Sequence, residues 1–132
     1  MNPTVHTGQE LRLTKLWFFL AYMLLLVTGV ISLMPAPDIG GSDKIAHFIV
    51  FLSLSAWFSL IVEHRKSLWL VLIGLIAYGL LLELLQGLTT YRTGDFRDAL
   101  ANSLGVVSGI VFYFSPLRRL LRQVDVWLQV RL

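Results

Sequence analysis

Leu16-Trp17-Phe18-Phe19-Leu20-Ala21-Tyr22-Met23-Leu24-Leu25-Leu26-Val27-Thr28-Gly29-Val30-Ile31-Ser32-Leu33-Met34 is a run of nineteen residues without a charge. A helix crossing bilayer hydrocarbon needs about 20 predominantly apolar residues, because each adds only ~1.5 Å of length. Outward from this run, Ala99 to Leu117 is a second uncharged run of nineteen, and Ser67 to Leu82 runs sixteen residues before Glu83. Ile45 to Val62 is broken only by His47. The whole 132-residue chain is 56% apolar and 14% charged, with a mean hydropathy of +0.73. Water-soluble domains carry about a quarter of their residues charged. The composition therefore argues against a soluble globular enzyme and against disorder. With no cysteine, disulfide scaffolds, thiolate metal sites and cysteine nucleophiles are excluded.

The expected fold is an all-α integral membrane protein, a four-transmembrane-helix up-down bundle with a C-terminal amphipathic interfacial helix. Its spans fall at about 14–34, 44–62, 67–88 and 98–117 in a single domain, 1–132, with a basic amphipathic tail, 118–132. Short breaks rich in Pro, Gly and charge separate the spans and force antiparallel neighbours. Gly40-Gly41 is read as a flexible turn and not a phosphate loop, since no strand and no Gly-Lys-Ser surround it. The first span is too long for a signal-peptide core and ends in Met-Pro-Ala-Pro, so it is expected to be retained. Eight of the eleven Lys and Arg residues lie in the N-terminal tail, the second break and the C-terminal tail. Basic residues near span ends stay in the cytoplasm, which predicts both termini inside and the first and third breaks outside. In the tail, Leu117, Leu120, Leu121, Val124 and Leu128 recur at helical spacing opposite Arg118, Arg122, Asp125 and Gln129. That pattern suits an anchor in the inner headgroup layer. Trp17, Trp57 and Trp69 fall near the inner boundary, where tryptophan anchors spans.

Five of the eight acidic residues, Asp38, Asp43, Glu83, Asp95 and Asp98, fall on the predicted outer side. Asp43 and His47 are four apart on one helix face, a row that continues through Phe51, Ser55 and Ser59. Glu83 and Gln86 share a face of the third span, and Asp98 and Asn102 share a face of the fourth above Gly105 and Gly109. The small residues Ala101, Gly105 and Gly109 let another helix approach closely, so the polar pair points into the bundle. Glu83 would lie about 7–8 Å inside the end of its span, from ~1.5 Å per residue. A lipid-facing carboxylate at that depth costs several kcal/mol, so it should face protein, a cation or water.

This convergence of acid, base and amide groups suits three chemistries, which spacing alone does not separate. They are acid–base work by His47 with Asp43 or Glu83, cation binding by the carboxylates, and anion capture by Lys44 and Arg92. Bland alternatives stand beside each. His47 can tie helices together, Asp95 can cap the fourth helix, Asp43 competes with Ser42 for a cap, Lys44 can snorkel, and Arg92 can close an ion pair with Glu83 or Asp98. No ligand set of fixed spacing identifies a metal.

Asp43-Lys44-x-x-His47-x-x-x-Phe51, then Glu83-x-x-Gln86, Arg92, and Asp98-x-x-x-Asn102-x-x-Gly105-x-x-x-Gly109, resembles the motif string of VanZ-like membrane proteins. The resemblance spans roughly residues 40–110. It implies a multi-pass protein of the bacterial cytoplasmic (inner) membrane acting in the cell envelope, with antibiotic resistance towards the glycopeptide teicoplanin as the family's association. It brings no established reaction. On this reading His47, Glu83 and Asp98 are the candidate catalytic residues, and Asp43, Lys44, Gln86, Arg92 and Asn102 the candidate ligand-binding residues. The expected partners are membrane lipid and either a lipid-linked cell-wall precursor or an envelope protein, with no nucleic acid; cofactor and metal stay open. A non-enzymatic scaffold, docking through the Gly105/Gly109 face and the basic tail, is the alternative. An ion or proton path along Ser55 and Ser59 is the third reading, and finds no acidic partner on the inner side of the other helices.

Overall fold

The structure is a computed structural model that describes residues 10–35 and 42–132. Asp38 and the Gly40-Gly41 turn lie outside the described residues. Five α-helices follow one another: α1 (Thr14–Leu33), α2 (Asp43–Ile61), α3 (Ser67–Gly87), α4 (Phe96–Gly109) and α5 (Leu117–Arg131), with a 3-10 segment, Ile110–Phe114, continuing α4. There is no strand among the described residues. Three helices are long and apolar enough to cross a membrane, and a fourth is added if α4, the 3-10 segment and the bent α5 count as one span.

The interior is mainly apolar, with Phe51, Leu54, Ile61 and Val106 fully buried, but polar groups are buried in it and large apolar side chains cover the outside. Ser55, Ser59, Glu83, Gln86, Asp98, Asn102 and Asp125 are buried, while Leu70, Ile73, Leu84 and Val111 stand on the surface. In water so wide an apolar surface would drive association. Against lipid it is the solvated surface, and the polar groups turn inward because the hydrocarbon offers them no hydrogen bonds.

Helix α2 is central and packs most extensively against α4. Glycine sets that approach. A Cβ on Gly105 would run into the Phe48 carbonyl and stand 2.9 Å from Leu52 N, and one on Gly109 would lie 2.5 Å from Ser55 Cβ and 2.6 Å from Leu52 O. The two backbones touch here, so dispersion contacts replace the hydrophobic drive that lipid cannot supply. Across the seam Ser55 Oγ donates to the Val106 carbonyl at 2.6 Å.

The fourth span ends differently from the expected continuous helix to residue 117. Ser115 is extended (φ −81°, ψ 156°) ahead of Pro116, and the chain turns by 69° into α5. Proline has no N–H to continue the ladder and its ring pushes the preceding residue out of the helical region, so the segment before it tightens to 3-10 and stops. The elbow places Arg118 under α2, where Nη2 donates to the Val62 carbonyl at 2.6 Å and the guanidinium lies 4.1 Å from the Tyr113 ring centre.

Helix α1 carries no cap of its own, with Leu13 at its N-cap, no acid in its first turn and no base in its last. Both of its ends are capped from elsewhere. Asp125 of α5, expected on a polar face toward the headgroups, is buried and accepts Arg12 N–H at 2.7 Å, Leu13 N–H at 2.9 Å and the Trp17 indole N–H at 2.7 Å. Gln129 accepts from Arg12 Nη1 at 2.8 Å. At the other end Gln86 Nε2 and Arg92 Nη1 both donate to the Ser32 carbonyl, at 2.7 and 2.9 Å, and the Tyr91 hydroxyl donates to Leu33 O at 2.6 Å. A carboxylate at the N-terminus and a guanidinium at the C-terminus also complement the helix dipole. Trp17, expected as a boundary anchor, is therefore a core residue beside Trp57, their ring centres 5.9 Å apart, whereas Trp69 is exposed.

Candidate functional site

The first turn of α2, the last two turns of α3 and the first two turns of α4 meet at one end of the molecule. Asp43 and His47 stack one turn apart on α2 because residues four apart share a helix face. Their His47 Nε2 to Asp43 Oδ1 separation is 3.6 Å. From α4, Asp98 brings Oδ2 to 3.8 Å from the same Nε2, and Asn102, one turn on, brings Oδ1 to 3.0 Å from Nδ1. From α3, Glu83 Oε1 lies 3.8 Å from Nδ1. The imidazole is thus ringed by four acceptor oxygens, two at each nitrogen.

The α3–α4 loop closes over this group. Gly94 packs so closely on the end of α3 that a Cβ would stand 2.9 Å from the Glu83 carbonyl oxygen. This approach lets Asp95 N–H donate to Glu83 Oε2 at 3.4 Å. Asp95 caps α4, accepting Arg97 N–H at 2.9 Å, as its position in the sequence suggests. That N–H, and after it the Lys44 ammonium, hold the Asp95 carboxyl below the ordinary carboxylate range.

The two permanent cations are already engaged. Lys44 Nζ sits 3.3 Å from Asp95 Oδ2 and 3.2 Å from Asp98 Oδ1. Arg92 reaches Asp43 Oδ1 at 3.8 Å while holding the Ser32 carbonyl, so its ion-pair partner is neither Glu83 nor Asp98. Four carboxylates (Asp43, Glu83, Asp95, Asp98) thus gather with Lys44, Arg92 and His47, and the Arg97 charge also acts on Asp95. Burial is graded. Asp43 and Lys44 are 38% and 41% exposed at the rim, and the side chains of His47, Asp98 and Glu83 are 12%, 11% and 9% exposed within.

Of the eight predicted site residues, Asp43, Lys44, His47, Glu83, Asp98 and Asn102 come together around the imidazole, with Arg92 at their edge. Gln86 does not join them; its amide is spent on α1. Among the described residues, two buried polar atoms of the cluster, Glu83 Oε1 and Asn102 Nδ2, make no hydrogen bond. The cluster is therefore incompletely satisfied, in contrast to a fully paired structural knot. Asp43, His47 and Asp98 each present a ligand atom within 4.8 Å of the others, a grouping that sequence spacing left unassigned because it spans two helices.

Below the cluster lie the two serines of the α2 row. Ser55 is bonded to Val106 O and Ser59 Oγ is buried with no hydrogen-bond partner among the described residues. The Gly105/Gly109 face, considered as a docking surface, is filled by α2. Two recesses lie elsewhere. One is an apolar groove of about 460 Å³ between α1, α2 and α3 lined by Phe18, Tyr22, Phe58, Gly74 and Tyr78, and the other is a basic hollow of about 270 Å³ at the elbow lined by Arg118, Arg119 and Arg122.

The family model described as VanZ/LLP1 matches residues 4–121 of the chain. An uncharacterized protein of Schizosaccharomyces pombe is 33% identical over 86 residues, 63% of this chain and 53% of that protein. The chain thus spans about half the length of the curated relative that it matches. No solved structure matches.

Proposed function

This chain belongs to the VanZ/LLP1 family, and from that premise we propose that it is a bacterial cytoplasmic-membrane protein that binds or modifies an anionic, lipid-linked envelope component at the cluster. On this reading the spans form an up-down bundle, both termini are cytoplasmic, and α5 lies along the inner headgroup layer with Arg119 and Arg122 toward anionic lipid. The cluster then opens at the outer boundary of the membrane. His47 exchanges a proton with the ligand or orients it, Glu83 and Asp98 set the charge of the site, and Lys44 with Arg92 meets the anionic head from the rim.

The observation that carries the reading is the meeting of ionisable groups from three helices at one end of the molecule, with two buried polar atoms left unpartnered among the described residues. Ionisable groups inside a span are costly and mark ligand sites or internal pairs, and here the pairing is incomplete. The fungal relative favours chemistry common to many membranes, the phosphate of a lipid or lipid-linked sugar, over a feature confined to bacterial cell wall. A role in teicoplanin tolerance follows if that component is a cell-wall precursor.

The test is single substitution of His47→Ala, Glu83→Gln and Asp98→Asn, with teicoplanin tolerance and membrane protein level measured in parallel. Tolerance lost at normal protein level supports the site. Tolerance that falls only in proportion to the protein present leaves the cluster as bundle glue and the chain as a scaffold subunit.

A further inference from the structure

We propose that Asp43, His47 and Asp98 hold a divalent cation of the Zn²⁺ or Mn²⁺ type. The His47 imidazole is the centre of the group. Its Nδ1 faces Asn102 Oδ1 at 3.0 Å and Glu83 Oε1 at 3.8 Å. On the other side Nε2 lies between Asp43 Oδ1 and Asp98 Oδ2, at 3.6 and 3.8 Å. These separations are longer than the ~2.7–3.2 Å of N–H···O hydrogen bonds. They are close to the roughly 3.5 Å between two ligands that each stand ~2.0–2.2 Å from one tetrahedral ion. A dication among the three, with Nε2 unprotonated, would replace these long contacts by coordination.

Three further features agree. The cluster gathers four carboxylates around Lys44 and Arg92, with the Arg97 charge acting on Asp95. Lys44 takes Oδ1 of Asp98 and leaves Oδ2, the oxygen toward Nε2, for the ion. Glu83, with its side chain 9% exposed and Oε1 lacking a hydrogen bond among the described residues, is aimed at Nδ1 and not at the ion position. Acceptors behind a ligating histidine fix its tautomer and raise its basicity, which is the role this arrangement gives to Glu83 and Asn102. One imidazole and two carboxylates suit Zn²⁺ or Mn²⁺ better than all-oxygen Ca²⁺ or thiol-seeking Cu⁺, and three protein ligands leave a position open toward the exposed rim.

The inference deepens the head-group reading and rests on the same residues, since a bound dication would supply the positive charge that a phosphate needs in an acidic cluster. It is tested on the full chain in detergent, stripped with chelator and titrated with Co²⁺ as a spectroscopic probe. One Co²⁺ per chain is expected, with binding weakened at least 100-fold by His47→Ala and by Asp98→Asn. Asn102→Ala, which removes a group behind the ligand, is expected to cost about 10–100-fold. Asp43→Asn sits on the exposed rim and provides a ligand variant that folds if the buried ones do not. No Co²⁺ bound to a helical wild-type chain, or equal binding by wild type and the Asp43 variant, overturns the site. Titration with inorganic phosphate separates the two ideas. Co²⁺ bound with no phosphate response keeps the cation site and sinks the head-group reading. Phosphate bound equally well by the chelated chain, with no Co²⁺ site, does the reverse.

Discussion

Asp125 Oδ1 accepts the indole N–H of Trp17 at 2.7 Å, joining the tail helix to the start of the first span across 108 residues of sequence. The same carboxylate takes two backbone N–H groups ahead of α1, so α5 supplies the N-terminal cap that α1 does not encode locally. The tail helix is thus tied to the start of α1 by three hydrogen bonds.

Replacing Asp125 by Ala strands three donors, and about 2–4 kcal/mol of stability should be lost, since bonds to a charged acceptor are worth ~1.5–3 kcal/mol and unmade buried ones add a penalty. Burial opposes ionisation of this carboxyl, but the Trp17, Arg12 and Leu13 donors outweigh it and hold the pKa below the ordinary range. Because the folded pKa lies below an unfolded value of about 3.9, the contribution is complete above that pH and disappears as pH falls through the folded pKa. Thermal unfolding in detergent should show a gap between wild type and Asp125→Asn that holds from pH 6 to about pH 4 and narrows as the pH falls further. A gap that stays constant would refute the assignment.

Glycine substitutions should separate seam from surface. Gly109→Ala pushes a methyl into Ser55 and the Leu52 carbonyl, where overpacking costs about 1–3 kcal/mol or more. Gly74→Ala, with nothing within 4 Å of its new Cβ, should be neutral or stabilise the helix by up to about 1 kcal/mol. Melting temperatures of the pair decide it.

The two buried serines of α2 should behave in opposite ways. Ser55→Ala loses its bond to Val106 O and should cost roughly 0.6–1.7 kcal/mol, the range for hydrogen bonds between membrane helices. Ser59→Ala removes a buried hydroxyl without a hydrogen-bond partner among the described residues and should be neutral or stabilising. If Ser59→Ala abolished activity at full stability, the proton-path reading would return.

Topology can be tested without background, because the chain has no cysteine. A thiol at Thr90→Cys, in the α3–α4 loop, should react with an impermeant reagent on intact cells, and one at His64→Cys, in the α2–α3 loop, only after permeabilisation. The reversed pattern would move the cluster to the cytoplasmic side and remove the envelope ligand.

Much of the site was legible because its groups obey short-range rules. Asp43 with His47 and Asp98 with Asn102 are four apart, and a helix must stack such pairs whatever surrounds it. Gly105 and Gly109 announced a close helix contact but not its partner, which proved to be α2 of the same chain. Gln86 and Arg92 read as ligand residues because their polarity inside apolar sequence looked purposeful. Both donate to a carbonyl at the end of α1, more than fifty residues away, and Arg92 also keeps an ion pair with Asp43 in the cluster.

The amino-acid sequence by itself determined the helices and the environment they suit, since length, hydropathy and helical period are properties of contiguous segments. Tertiary structure alone decided which acid faces which base, that Asp125 and Arg92 cap α1, and that three ligand atoms from two helices surround one point. Those facts depend on how helices rotate and approach one another, and that is fixed by glycine contacts and interhelical hydrogen bonds that no single segment contains.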